Sequence, residues 1–292
     1  MIIQTLGIVG AGSLGTRIAL QGAISGFKVN VYDIDPNSFE RSKVTMRKLL
    51  AQLDGAKLLD KEKGEQSLHR ISFSPNLKDA LQEVDFVSEN VTEDLETKLI
   101  VWKLIGESAA VHAIFTTNTS FLLPSQLAEA SGRPARFCAF HFHDVFQSRV
   151  VDIMPHSQTD TELIGILQEL GKRLDQVPVL VKKEHPGYIF NTLLIAWIDA
   201  AGRLLTGDIA EVEAIDKSWM VNFNMSAGPF GILDKVGLDT AWHITNSRRN
   251  PASRAFAALL KTYVDQGKLG IKSGEGFYSY PNPRYENKDF CT

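Results

Sequence analysis

The stretch from Leu6 to Asp33 leaves few folds open to this chain. It reads LGIVGAGSLGTRIALQGAISGFKVNVYD. An apolar run of Leu6, Ile8 and Val9 enters Gly10-Ala11-Gly12-Ser13-Leu14-Gly15. Apolar residues then recur at helical spacing through Leu14, Ile18, Ala19, Ala23 and Ile24, and a second short run, 29–32, ends in Asp33. The order is strand, glycine turn, helix, strand, acid. In that order the first glycine permits the tight turn, the second lets backbone approach a pyrophosphate, and the third lets helix pack closely on strand. The helix N-terminus then offers N–H groups and partial positive charge to an anion without any lysine. Asp33 lies 18 residues beyond Gly15, close to the roughly 20 expected of an acid that hydrogen-bonds a ribose 2′-hydroxyl. A carboxylate there repels a 2′-phosphate. The pattern therefore predicts a dinucleotide-binding α/β domain with Gly10, Gly12, Gly15 and Asp33 on NAD in preference to NADP.

With 292 residues, 44% hydrophobic and 22% charged, the chain can bury the core of one large or two ordinary soluble domains. A net charge of −3 gives no bulk attraction to nucleic acid or to a membrane surface. Two cysteines, Cys138 and Cys291, make no disulfide framework and cannot supply a four-ligand metal site. No metal is expected, and a reducing cytoplasm fits. Met1 leads straight into strand residues, without the basic flank and apolar core of an export signal. The most apolar long window, 188–205, carries Asn191, Asp199 and Arg203, which are costly in lipid, so it reads as a buried helix.

Beyond Asp33, residues 37–53 are helical in pattern and cationic, with Arg41, Lys43, Arg47 and Lys48. Residues 55–69, lysine-rich and bounded by glycine, read as an excursion from the core. Strands are then expected at 71–73, 85–89, 113–115, 136–143, 150–154 and 176–181, with helices between most of them. Ligands of open α/β sheets bind outside the carboxyl ends of the strands, so the exits bearing Gly10, Glu93 and Ser120 should converge on one site. His141 and His143 alternate with Phe140 and Phe142, which puts both imidazoles on one face of a strand. Either could be a general base, and the local pattern alone does not choose. Asp152 falls in the middle of an apolar strand, where an unpaired acid is costly; a histidine partner would account for it. From Gly187 onward only helical patterns remain. The boundary is drawn between residues 1–184 and an all-α domain of residues 185–292. The first helix of that domain is apolar nearly all round, as in a bundle interior or a subunit interface, and a homodimer is expected.

These residues resemble the 3-hydroxyacyl-CoA dehydrogenase family over nearly the whole chain. The matching pieces are GAGSLG with Asp33, VTEDLETK, the NTS of residues 118–120, His141-Phe142, PGYIFN at 186–191, GPFGILDKVGLDT at 228–240 and KSGEGFYSY at 272–280. The resemblance implies a Rossmann-type domain followed by an all-α dimerisation domain of the 6-phosphogluconate dehydrogenase C-terminal type. It implies NAD-linked oxidation of a small 3-hydroxy substrate, such as 3-hydroxybutyryl-CoA. By motif, His141 corresponds to the catalytic base, Asp152 to the family's orienting glutamate, and Ser120 and Asn191 to groups hydrogen-bonding the reacting oxygen. Glu93 and Lys98 match residues lining the cofactor, and Lys272 a tail lysine near it. The chain departs from the family in carrying HFHDV at 141–145 where HFFNP is usual, and in the Asp at 152. The runs LLPSQL at 122–127 and MPHSQTD at 154–160 are similar to relatives acting on unactivated substrates, the diketoreductases and the L-gulonate 3-dehydrogenase branch. A catalytically weak NAD-binding protein, as the lens crystallins of this superfamily are, is the rival of another class. On these assignments the Asp152 charge should raise the His141 pKa above its unperturbed value of about 6.5, and His143→Asn should be mild.

Overall fold

The computed structural model describes residues 2–248 and 251–292. The chain divides into two compact units, Met1–Ile189 and Phe190–Thr292.

The first unit is a sheet flanked by helices. In chain order it holds β1 (Thr5–Val9), α1 (Ser13–Ile24), β2 (Lys28–Tyr32), α2 (Asn37–Gly55), α3 (Lys61–Leu68), β3 (Ile71–Ser74), α4 (Leu77–Leu81), β4 (Phe86–Glu89), α5 (Leu95–Ser108), β5 (Ile114–Thr117), α6 (Pro124–Leu127), β6 (Phe137–Phe142), β7 (Val150–Met154), α7 (Thr161–Arg173) and β8 (Val177–Leu180). The strands lie in the order β3-β2-β1-β4-β5-β6-β7-β8. Pairing is parallel from β3 through to β6, antiparallel between β6 and β7, and parallel again between β7 and β8. The strand order therefore reverses between β1 and β4, which creates the crevice at their carboxyl ends where such sheets take ligands.

Covering both faces buries the inner strands β4, β5 and β6 along their whole length, with their apolar residues forming the core. Leu6, Ile8, Val29, Val31, Phe86 and Phe140 are buried in one cluster with residues of α1, α2 and α7 on one side, while Val9, Val87, Phe115 and Phe137 pack with Trp102 and Ile105 of α5 on the other. Residues 55–69, expected as an excursion, contain α3. Asp60 caps that helix by accepting from Glu62 N and Lys63 N, and Gly64 packs close to Leu50 of α2.

The second unit is all-α, as the sequence predicted: α8 (Phe190–Thr206), α9 (Val212–Phe223), α10 (Pro229–Val236), α11 (Leu238–Asn246) and α12 (Pro251–Asp265). Its core joins Ile198, Ile215, Met220, Phe230, Leu233, Leu238, Phe256 and Leu260 with Tyr278, Tyr285 and Phe290 from the tail. The helical pattern over 229–246 is interrupted by glycine in the sequence, and the chain breaks there into α10 and α11 at Gly237, whose φ of +98° neither helix can share. No helix among the described residues is long and apolar enough to cross a membrane.

Candidate active site

The turn after β1 is shaped by backbone approach. Gly10 has φ +102°, and a Cβ there would meet Asn90 O at 2.7 Å; a Cβ on Gly15 would strike Gly10 O. Neither position accepts a side chain. Gly12 is different, because a Cβ there would meet nothing within 4 Å and so would fill the open side of the cradle. That open side at the start of α1, with no acidic residue in the helix's first turn, fits a pyrophosphate. Asp33, at the end of β2, accepts Ala11 N at 2.7 Å on Oδ2 and Asp35 N at 2.9 Å on Oδ1. These bonds fix its carboxylate beside the glycine turn, where a ribose hydroxyl would find an acceptor.

Glu93, Ser120 and their loops do converge. Oε1 of Glu93 accepts from Thr119 Oγ1 at 2.5 Å, Ser120 N at 2.9 Å and Phe121 N at 3.0 Å, tying the exit of β4 to the exit of β5. Lys98, on α5, is 1% exposed. Its Nζ lies 2.6 Å from Glu89 Oε1 and 3.7 Å from Glu93 Oε2. Glu89 also accepts Val91 N at 2.8 Å and Thr117 Oγ1 at 2.7 Å. This buried pair sits beneath the β4 exit, and breaking such a pair on one side costs about 3–5 kcal/mol. Lys98 is thus part of the foundation of the Glu93 loop.

The β6–β7 register builds the catalytic cluster. His141 pairs directly with Asp152 in the antiparallel ladder, and His143 N continues it to Val150 O at 3.2 Å. Directly paired residues share a face, and so do residues two apart on one strand, so both imidazoles and the carboxylate meet on one side. His141 Nδ1 stands 3.4 Å from Asp152 Oδ2 and His143 Nε2 2.8 Å from the same oxygen. Burial raises the carboxyl, but the hydrogen bonds and charges of the two imidazoles together outweigh it and hold Asp152 below the usual carboxylate range. An ionised carboxylate only accepts, so both facing nitrogens carry hydrogen. The lone pair of His141 is then on Nε2, 3.2 Å from Ser120 Oγ.

Tyr188 closes the other side of the base. It is buried, stacks on His141 with ring centroids 4.6 Å apart and planes 15° apart, and donates its hydroxyl to Thr119 O at 2.9 Å. Its φ of +52° is one an aromatic residue rarely adopts. Sequence reading missed Tyr188; the Gly187 before it, in a run ending the strand-helix alternation, was the available signal. Under this cover burial pushes the His141 imidazole below its ordinary value. The His143 charge adds to that, against the hydrogen bond and charge of Asp152 and the charge of Glu93. The direction is opposite to that expected from sequence: the carboxylate neighbour was visible there and the depth of burial was not.

His141, His143 and Asp152 also have donor atoms within 4.8 Å of one another, a group by type able to hold a metal ion. Both N–H groups converge on one carboxylate oxygen, which accounts for the cluster as a proton network. Asn191 and Lys272 belong to the second unit. Asn191 is in the first turn of α8, and Lys272 Nζ lies 2.5 Å from Asp239 Oδ1.

A glycine cradle for a dinucleotide at one strand exit and a hydrogen-bonded serine, histidine and aspartate at others define an NAD-dependent oxidoreductase. Residues 5–185 match the NAD-binding domain of 3-hydroxyacyl-CoA dehydrogenase, and residues 187–280 its C-terminal domain. The chain belongs to the 3-hydroxyacyl-CoA dehydrogenase family. It is 34% identical over 279 residues to the protein named "Probable 3-hydroxybutyryl-CoA dehydrogenase" of Deinococcus radiodurans, covering 94% of this chain and 99% of that one. A diketoreductase structure, described as performing substrate-directed dual catalysis of dicarbonyl compounds, superimposes with TM-score 0.91 at 39% identity, covering 96% of this chain and all (100%) of the other. The (S)-3-hydroxybutyryl-CoA dehydrogenase of Ralstonia eutropha superimposes with TM-score 0.85 at 30% identity over the same shares.

Proposed function

We propose that the enzyme interconverts a short-chain 3-hydroxyacyl-CoA, such as 3-hydroxybutyryl-CoA, and its 3-keto form, with His141 as the base. The observation that carries this reading is the alignment of Ser120 Oγ, His141 and Asp152, with the unprotonated Nε2 of His141 turned to the serine. In oxidation the hydroxyl proton passes to Nε2, the C3 hydrogen leaves with its electron pair, and the C–O bond becomes a carbonyl. Bound NAD+ supplies the hydride acceptor. Asp152 orients the ring and stabilises the imidazolium, while Ser120 and Asn191 hydrogen-bond the reacting oxygen, a contribution of roughly 3–4 kcal/mol per donor at comparable sites. Gly10, Gly12, Gly15 and Asp33 hold the dinucleotide. We assign Glu93 to the cofactor side and Lys98 to its support, and Lys272 to the cofactor from its motif match.

A second reading, reduction of free dicarbonyl compounds, is favoured by the 39% identity to diketoreductase and by His143-Asp144 where the family carries Phe-Asn. A panel of 3-ketoacyl thioesters and free 3-keto and diketo acids with NADH tests both. Faster turnover of the thioester supports the first reading, and faster turnover of the free acids replaces it with the second. Turnover of neither would leave an NAD-binding structural protein.

We further infer a cytoplasmic homodimer built through the second unit. Phe190, Leu193, Leu204 and Phe223 are exposed there, a set of large apolar side chains that a second copy would cover. Light scattering at micromolar concentration should give twice the chain mass, and a monomer mass would contradict it.

A further inference from the structure

Two imidazoles draw on one oxygen of Asp152, and the nearer is not the base. His143 Nε2 is at 2.8 Å, a full hydrogen bond, whereas His141 Nδ1 at 3.4 Å is at the long limit of one. We propose that His143 is a positioning residue for the base: by giving its N–H to the same carboxylate oxygen, it holds Asp152 partly away from His141 and so keeps the base imidazole neutral. The inference rests on the reading of His141 as the base and adds the residue that governs it.

The placement is built in. The ladder bond from His143 N to Val150 O fixes the backbone of His143 opposite the strand that bears Asp152. Beyond it, Asp144 Oδ1 accepts Phe146 N at 2.9 Å and Gln147 N at 2.8 Å, and its Oδ2 meets Arg17 Nη2 of α1 at 3.1 Å. The loop after His143 is thereby tied to the helix that opens on the glycine cradle. The titratable groups facing His141 are Asp152 on β7, His143 on its own strand, Glu93 from the loop after β4, and the phenol of Tyr188; Ser120 faces it as a neutral hydroxyl. Of these, Asp152 and Glu93 favour imidazolium and His143 opposes it. Without His143, Oδ2 has one imidazole in place of two, the bond to His141 shortens, and imidazolium is favoured. A base that must take a proton is then already charged over a wider pH range.

Two substitutions separate the hydrogen bond from bulk. The side-chain Nε2 of glutamine reaches as far as the Nε2 of histidine, so His143→Gln keeps a donor to Oδ2, whereas His143→Phe keeps the ring volume and removes it. The acidic limb of kcat/KM for oxidation and the NMR titration of the His141 imidazole would be recorded on the full chain. In His143→Phe both should move to higher pH by roughly one unit, a tenfold change in the protonation equilibrium. In His143→Gln both should stay within about half that shift. An unmoved His141 titration in His143→Phe, or equal movement in both variants, overturns the proposal. If the His141 titration moves as stated but the kinetic limb does not follow it, the base assignment fails while the shared carboxylate stands.

Discussion

Asp152 in the first unit and Asp216 in the second are both buried aspartates with several hydrogen-bond donors, yet their carboxyl groups are driven in opposite directions. Asp152, 1% exposed, is held below the usual carboxylate range; Asp216, 0% exposed, is pushed up to about 6. The difference lies in the donors. Asp216 accepts Phe230 N and Gly231 N, each at 2.9 Å, in the first turn of α10, and the Tyr278 hydroxyl at 3.0 Å. All three are neutral, burial outweighs them, and the charge of Asp234 raises the carboxyl further. Asp152 is faced by two imidazoles that can take up charge, and their hydrogen bonds and charges together outweigh its burial. A carboxylate held by neutral donors secures a helix start; one held by titratable donors is coupled to proton transfer.

The largest effect should come from removing the proton acceptor on the Asp152 side. His141→Asn should lower kcat by about 10²- to 10⁴-fold, the usual contribution of a positioned base, with NADH affinity by fluorescence titration unchanged because the glycine cradle is untouched. Loss of NADH binding in step with activity would show that His141 serves the fold.

On the Asp216 side the effect should appear in stability. With the folded pKa above the unfolded value of 3.8, protonation favours the fold. The contribution is fully present below the unfolded pKa and is lost as pH rises through about 6, and a shift of this size corresponds to roughly 3 kcal/mol. Asp216→Asn removes the titration, so its unfolding free energy should fall less between pH 4 and pH 6 than that of the wild type, with kcat near the wild-type value. An identical pH slope in the two proteins would erase the contrast with Asp152.

Much of this was legible in the sequence. Alternating apolar runs gave the strands, and the glycine spacing gave the cradle, since both depend on local chemistry. The reversal of β7 was not legible, because apolar strand patterning carries no direction; only the antiparallel register shows that His143 as well as His141 reaches Asp152. This is why His143→Asn, a mild change on sequence grounds, becomes a substitution that loses a carboxylate bond: asparagine is too short to replace Nε2. Lys98 is placed by its motif match; its buried pairing with Glu89, nine residues away across a loop whose folding brings them to 2.6 Å, was not legible locally. Residues 55–69 hid α3 because their many charges mask a helix that is buried only at Gly64 and Ser67.

The smallest shift is also the most direct measure of the central claim, that His141 is a buried base neutral near physiological pH. The acidic limb of kcat/KM for NAD-dependent oxidation should lie below the unperturbed imidazole value of about 6.5. In Asp152→Asn, which removes a group that favours imidazolium, it should lie lower still by roughly half a unit to one unit. A wild-type limb above about 6.5, or one that rises in Asp152→Asn, would contradict the account.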